Sequence, residues 1–403
     1  MRLSTANMFD ASIANLQQRQ ELMQNAQQRL TSGKRVQTAS DDPTGAARAE
    51  RAGTAIGRVE ANQRALDASR NGMTLSEGAL GDANEILQQV RETMVSAGNS
   101  SYSDSERRGL ASKIAELRNQ LLSIANRPDG AGGYLFSGQG SSSPPFLDSA
   151  AGVRFNGVPG AIQTGNVDNF PLTVDGRQAW EQARTGNGSF VTGPLPNSIT
   201  GASNKAWIDI GQVTDPSLLT GNAYKIDISG TAPAATYNVT NTTTGAPVAS
   251  GPYLSGQAIQ FDGISMAISG PAADGDAFDV QPSTSDLKIF DVLDKAVADL
   301  RTPNRSRNDI TQSNALTLRD IDSAMNGLQN VRSQVGERLN NLDGTESRMA
   351  SLKQYNQAEK SAAEDLDMTQ GISDFQNQQT GYDAALKTYS MVQRMNLFQY
   401  LNP

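Results

Sequence analysis

Two periods run along this chain, and the points where one gives way to the other mark its organisation. Ala52, Val59, Leu66, Met73, Leu80, Leu87 and Met94 recur every seventh position, with no proline between Pro43 and Pro128. A seven-residue repeat held this long predicts a supercoiled helix packed along another helix, because it keeps one stripe turned toward the partner. The companion row is small or polar at Asn62, Ser69 and Ser76, then turns apolar at Ala83 and Val90. A first helix carries Phe9, Leu16, Met23 and Leu30 at the same interval, with Ile13 beside Leu16. Gln20 and Gln27 hold its companion positions, so that seam is weakly apolar and forgiving in register. The stretch from Asn304 to Asn402 also lacks proline and places Leu328, Val331, Val335, Leu339, Leu342, Met349 and Leu352 on one helical stripe. That stripe lapses at Asn356 and Glu359 and resumes at Ala363 and Leu366. A second ladder follows: Ile372, Phe375, Gln379, Tyr382, Leu386 and Tyr389.

Helix ends are punctuated by residues with a local reason to be there. Gly33, in Thr31-Ser-Gly-Lys-Arg35, is placed to cap the first helix in a left-handed conformation. Ser40-Asp-Asp-Pro43 predicts the next start, with Asp42 at the N-cap and Pro43 at the first helical position. Gly98-Asn-Ser-Ser ends the long helix. Ser103-Asp-Ser-Glu106 is a capping box opening a helix with Leu110, Ile114, Leu117, Leu121 and Ile124, closed by Arg127-Pro128. After the middle of the chain, helix is expected to return at Ser285-Asp286, with Leu287, Phe290, Leu293, Val297 and Leu300 on one face up to Pro303.

Between the helical stretches the period falls to two: Tyr224, Ile226, Ile228; Ile259, Phe261; Ile264, Met266, Ile268; Phe278, Val280. Gly, Pro, Asn and Asp turns separate these runs, which predicts antiparallel β structure, a sandwich or small barrel. Composition shifts with the period. Residues 138–285 hold 20 of the 37 Gly, 12 of the 16 Pro and both Trp, and carry 5 basic against 11 acidic groups. The fold class is therefore α+β: a long antiparallel helical bundle or coiled coil from both termini, with an inserted all-β, sandwich-like middle domain. The expected boundaries are 1–137 for the N-terminal helical arm, 138–285 for the β domain, and 286–403 for the C-terminal arm packing with 1–137. The insert is one domain or two subdomains, the second about 204–282. The helical seam is assigned to Leu16, Met23, Leu30, Val59, Leu66, Met73, Leu80, Leu87, Met94, Val335, Leu342 and Met349.

Composition narrows the chemistry. At 403 residues the chain is long enough for two or three cores, but with 37% hydrophobic and 5% aromatic residues those cores are lean. It has neither Cys nor His, which removes thiol nucleophiles, disulfides, thiolate or imidazole metal sites and every His-based acid–base scheme. A net charge of −8 without a basic block argues against nucleic acid and anionic membranes as partners. The N-terminal residues lack an apolar signal core and no run approaches membrane-spanning length, so no membrane insertion is expected, and any secretion is expected to bypass an ordinary cleaved signal.

Possible sites dissolve on inspection of their spacing. Gly138-Gln-Gly140 lacks the third glycine of a phosphate cradle and is a hinge. Asp274, Asp276 and Asp279 lack the acidic twelfth position of an EF-hand and are expected in a solvated turn. Asp41-Asp42 are helix caps rather than paired catalytic carboxylates. Met23, Met73, Met94 and Met349 lie on seams and are core. No catalytic, cofactor-binding or metal residue is therefore assigned, no cofactor is expected, and the chain is read as no enzyme. The end of the chain differs. Met391, Val392, Met395, Leu397, Phe398, Tyr400 and Leu401 are too many apolar residues for one helix stripe about 100° wide. Buried core and a partner surface are both open readings, and a partner or chaperone interface is the one assigned.

Along both arms the chain resembles the bacterial flagellin family. The residues that carry this are Gln28-Arg-Leu-Thr-Ser-Gly-Lys-Arg35, Ser40-Asp-Asp-Pro-Thr-Gly-Ala-Ala-Arg48, Glu77-Gly-Ala-Leu80 and Leu87-Gln-Gln-Val-Arg-Glu92. Met1-Arg-Leu-Ser-Thr5, Gly133-Tyr-Leu-Phe-Ser-Gly138 and Asn396-Leu-Phe-Gln-Tyr-Leu401 look like a hook–filament junction subunit rather than a filament subunit. Val335-Gly-Glu-Arg-Leu-Asn-Asn-Leu342 and Phe375-Gln-Asn-Gln-Gln-Thr380 match the C-terminal arm of such a subunit. The resemblance covers roughly 1–137 and 286–403, and 204–282 looks like a β module that recurs in flagellar proteins. It implies a secreted structural protein of the extracellular flagellum, assembling with itself into a tube with the β domain outward. The partners it implies are hook-associated protein 1 on the hook side, filament flagellin, and a cytoplasmic export chaperone. The rival readings are filament flagellin itself and a surface-displayed binding module built on the β domain.

Overall fold

The computed structural model describes residues 5–99, 101–140, 142–164, 169–231 and 233–398. Its helices are α1 Thr5–Ser32, α2 Pro43–Ala97, α3 Asp104–Ala125, a short α4 Gly176–Trp180, α5 Ile289–Arg301, α6 Arg307–Glu364 and α7 Met368–Phe398. Eleven strands lie between α3 and α5 among the described residues: β1 Phe146–Ser149, β2 Gly152–Phe155, β3 Phe190–Leu195, β4 Trp207–Ile208, β5 Gln212–Val213, β6 Tyr224–Ser229, β7 Thr236–Asn241, β8 Pro247–Pro252, β9 Ala258–Phe261, β10 Ile264–Ser269 and β11 Ala277–Pro282. The chain is α+β, with long helices at both ends and antiparallel sheets in the middle. It forms two compact units, residues 65–343 and residues 1–64 with 344–403.

In the unit 65–343 the seven-residue ladder is fully buried: Leu66, Met73, Leu80 and Leu87 are 0% exposed and Met94 2%. Its companion row, Ser69, Ser76, Ala83, Val90 and Ala97, is buried as well. Opposite it α6 contributes Ile321, Ala324, Leu328, Val331, Val335 and Leu342, all buried. Three cross-helix ion pairs set the direction: Arg70–Asp343, Glu77–Arg332 and Arg91–Asp322. The numbers rise on α2 as they fall on α6, so the two helices are antiparallel. The polar members of the companion row have local partners. Ser76 Oγ donates to Gly72 O at 2.8 Å, and Ser69 Oγ donates to Pro171 O in the loop that lies against this face. A Cβ at Gly72 would meet Leu172 O at 2.6 Å, so that loop requires a glycine there.

The capping box at Ser103 is present, and α3 buries Ile114, Leu117, Leu121 and Ile124 with α5 as its neighbour. Arg118 on α3 ties this pair to the β1–β2 hairpin. Its guanidinium donates to both carboxylate oxygens of Asp148 and, at 3.0 Å, to Asp294, while lying over the Phe290 ring. Phe136, Phe146, Phe155, Trp180 and Phe290 pack ring against ring beneath it. The return of helix differs from expectation. α5 starts at Ile289 rather than Ser285-Asp286, because Leu287 is held extended, its N–H donating to Ala183 O at 3.0 Å.

The larger sheet runs β3-β11-β6-β7-β8, and the smaller has β10 between β4 and β5 with β9 also pairing β10. Their facing sides share one core containing Ile226, Ile228, Val239, Met266, Ile268 and Phe278. Asp262-Gly263 makes the β9–β10 turn, with φ of 42° and 75°, as a two-residue hairpin of this type requires. Asp276 is not in a solvated turn but wholly buried. It accepts from Asn197 Nδ2, from the backbone N–H of Ala273, Lys205 and Ala206, and so knots three loops.

Candidate assembly surface

The unit formed by 1–64 and 344–403 is built from α1, α7 and the parts of α2 and α6 beyond those described above. α1 packs along α7. On α1 Leu16, Met23 and Leu30 are only half-buried, and Val59 on α2 is likewise. Met349 is buried at 4% exposure, with Ala49, Ala52 and Ala363 close to it in burial. Lys353 pairs with Glu60 at 3.0 Å and Gly45 lies against the carbonyl of Ala363, so α2 and α6 have the antiparallel sense within this unit too. The stripe proposed for α6 fails at Leu352, which is 53% exposed. On α7 the ladder holds partially: Phe375, Tyr382 and Tyr389 are half-buried, whereas Ile372 and Leu386 are exposed. A ladder drawn at uniform spacing drifts off a single partner, since 3.6 residues per turn and a seven-residue period do not coincide.

The four helices of this unit meet at a joint of backbone and charge. α6 stops at Glu364 rather than running on, and α7 begins at Met368. The loop after α1 fills the break. Gly33, at φ +68°, accepts from Leu366 N–H at 2.9 Å, and Arg35 N–H donates to Glu364 O at 2.7 Å. Arg35 Nη2 also donates to Ala363 O at 2.9 Å, so the last carbonyls of α6 are capped by the preceding loop rather than by water. Lys34 pairs with Glu364 at 3.1 Å and Arg35 with Asp42 at 3.2 Å. Asp42 Oδ1 accepts from Gly45 N–H at 2.9 Å and Thr44 N–H at 3.1 Å, as an N-cap should. The Gly45 amide, the Thr44 hydroxyl and Arg35 hold the Asp42 carboxyl down at about 2. Asp41 is lowered by the backbone N–H groups of Thr38 and Gln37. Asp367 caps α7 in the same manner, accepting from Thr369 and Gln370. Asp42 thus caps α2 as expected, whereas Asp41 is no helix cap but closes the turn before it, accepting from the N–H groups of Gln37 and Thr38.

The surface this unit presents is apolar in places that a seam does not use. Leu352 and Tyr355, 64% exposed, lie three apart on α6, and Met368 and Ile372 lie four apart at the start of α7. Leu22 on α1 is exposed too. Tyr355 and Leu22 fall between the seam positions, so the periodic reading passed over them; an aromatic beside the polar lapse at Asn356 was the available signal. At the C-terminal end Met391 is 64% exposed. Val392, Met395, Leu397 and Phe398 lie on the last turns of α7 without described side chains. Tyr400 and Leu401 lie outside the described residues.

Among the described residues no helix is long and apolar enough to cross a membrane. Three family profiles match the chain: the bacterial flagellin N-terminal helical region at residues 3–141, the flagellar hook-associated protein 1 D2-like domain at 198–282, and the bacterial flagellin C-terminal helical region at 318–401. Flagellar hook-associated protein 3 of Salmonella typhimurium is 25% identical over 411 residues, 99% of each chain. A crystal structure of the flagellar junction protein from Legionella pneumophila superposes with a TM-score of 0.67 at 27% identity, covering 79% of this chain and all of that one. Phase 2 flagellin of the same Salmonella strain is 29% identical but over 54% of this chain and 39% of its own. With both flagellin helical regions matched along its two ends, the chain belongs to the bacterial flagellin family.

Proposed function

We propose that this chain is a structural subunit of the extracellular bacterial flagellum that joins hook to filament. The observation that carries the reading is extent: the match to hook-associated protein 3 runs end to end, sheets included, whereas the match to flagellin stops at about half the chain. In this reading the arms 1–137 and 286–403 pack against neighbouring copies in a tube and the insert 138–285 faces outward. Half-buried seams at Leu16, Met23, Leu30 and Val59 suit helices whose burial is completed by neighbours. The segment from Met391 to Leu401 is the partner surface, held first by a cytoplasmic export chaperone and later by adjacent subunits. Hook-associated protein 1 is the partner on the hook side and flagellin on the filament side. The protein does no catalysis; its work is to offer two different surfaces to two different tubes. Antibody labelling of intact flagella tests this. A single band of label where hook meets filament is expected, and label along the whole filament overturns it in favour of a filament subunit.

A further inference from the structure

A cleft of about 530 Å³ lies between the segment around 178–188 and α6. Its floor is a ladder of side-chain amides: Asn326, Asn330 and Gln334 occupy positions i, i+4 and i+8 of α6 and are all exposed. Gln182 faces them from the other wall. The side-chain amides of Gln182, Asn326 and Asn330 have no hydrogen-bond partner among the described residues. Gln178 Nε2 donates to Gln334 Oε1 at 3.0 Å, which leaves the Gln334 amino group free. The charged residues of the cleft are already engaged. Arg319 is paired with Asp320, Asp322 with Arg91, and Arg184 donates to Gly188 O. What remains is a set of neutral donors and acceptors, suited to an uncharged ligand.

The spacing of the ladder says more. Four helical residues advance about 6 Å, and an extended chain presents same-side peptide groups about every 6.6–6.8 Å. Each amide carries both a donor and an acceptor, as each peptide unit does. A helix has no free backbone groups to offer such a ladder. The same chain contains a matching element. Strand β8 ends the larger sheet, so among the described residues the outer edge of its backbone lacks a strand partner. No charged residue occurs between Asp227 and Asp262, so the whole β7–β8 hairpin is neutral. Its tip, residues 242–247, is exposed throughout.

We propose that the β8 edge of one copy docks in the amide cleft of the next, strand backbone to side-chain amide. Such a contact joins two different surfaces of the same chain, and heterologous contacts of this kind generate rings or helical tubes. The inference deepens the junction reading and rests on it for the presence of neighbouring copies.

The test uses the full chain, whose lack of cysteine permits a single attachment point. Gln329→Cys, exposed and outside the cleft, carries a benzophenone maleimide into flagella of a strain lacking its own copy. Irradiation is expected to yield cross-linked dimers in which the label sits on residues 236–252 of the second copy. Adding Asn326→Ala and Asn330→Ala is expected to lower that yield about tenfold, through two lost hydrogen bonds. A label found on a helix, on another protein, on carbohydrate, or only within its own chain overturns the contact, as does no cross-link in flagella that still show label at the junction. Absence of the wild-type protein from the junction overturns the underlying reading as well.

Discussion

The same two long helices, α2 and α6, contribute to both compact units, yet the units are built to different standards of burial. In 65–343 the α2 ladder from Leu66 to Met94 is closed off from solvent, with α6 and the loop at Leu172 lying against the helix. In 1–64 with 344–403 the equivalent positions Leu16, Met23, Leu30 and Val59 stay half-open, while Leu352, Tyr355 and Met391 face solvent. The seven-residue repeat is common to both units, so what differs is how far each stripe is covered among the described residues. In the proposed reading, the half-open stripes of 1–64 with 344–403 are the apolar surface that a neighbouring copy would complete.

Matched charges at corresponding positions give the largest contrast. Leu80→Asp places an unpaired carboxylate where there is no solvent and is expected to cost about 5 kcal/mol, enough to unfold 65–343 at 37 °C. Leu16→Asp, at a half-open site, is expected to cost about 1 kcal/mol or less in the monomer while abolishing incorporation into flagella. Circular dichroism melts and flagellar labelling read the two effects; equal melting temperatures for the pair would break the comparison. Truncation after Ser390 is the next step down for the monomer. It is expected to leave the melting of 65–343 unchanged while chaperone capture and junction assembly are lost, and normal capture would remove Met391–Leu401 as the partner surface.

Glycines on the same helix sharpen the contrast at smaller scale. Gly72→Ala drives a methyl into Leu172 O and is expected to destabilise by about 1–3 kcal/mol. Gly57→Ala meets nothing within 4 Å and is expected to stabilise the helix by about 0.5–1 kcal/mol. Chemical denaturation distinguishes the signs. The smallest effect is a pH dependence at the joint. Asp42 is held near 2, below the ordinary aspartate value of about 3.9, so its capping contribution is present above about pH 4 and is lost as pH falls toward 2. The Gly45 amide resonance is expected to titrate with a midpoint near 2 and to stop doing so in Asp42→Asn.

Residues 43–97 show what was legible without coordinates. A helix is a local object, and both its seven-residue stripe and its Asp42-Pro43 start depend on neighbours a few residues away, so α2 was readable along with the Ser103 capping box and the Gly33 cap. The strands with alternating apolar faces, β6, β9, β10 and β11, were readable for the same reason. β7 (Thr-Tyr-Asn-Val-Thr-Asn) is largely polar and β8 is bounded by Pro247 and Pro252, so their strand character comes from pairing, β7 with β6 and β8 with β7. The end of α6 at Glu364 was not legible either, since it depends on backbone groups of Gly33 and Arg35 more than three hundred residues earlier. Asp276 looked like a turn residue because burial by Asn197, Lys205 and Ala206 is invisible from positions 274–279. The amide row Asn326, Asn330 and Gln334 carries no signal in the sequence, because the segment at 178–188 that walls it is far away in the chain. By itself the sequence determined period, caps and the order of helix and sheet, which short-range sterics and solvation set. Tertiary structure alone decided which stripes were closed, where a helix stopped and which polar row faced a cleft, because those depend on contacts between residues far apart in the chain.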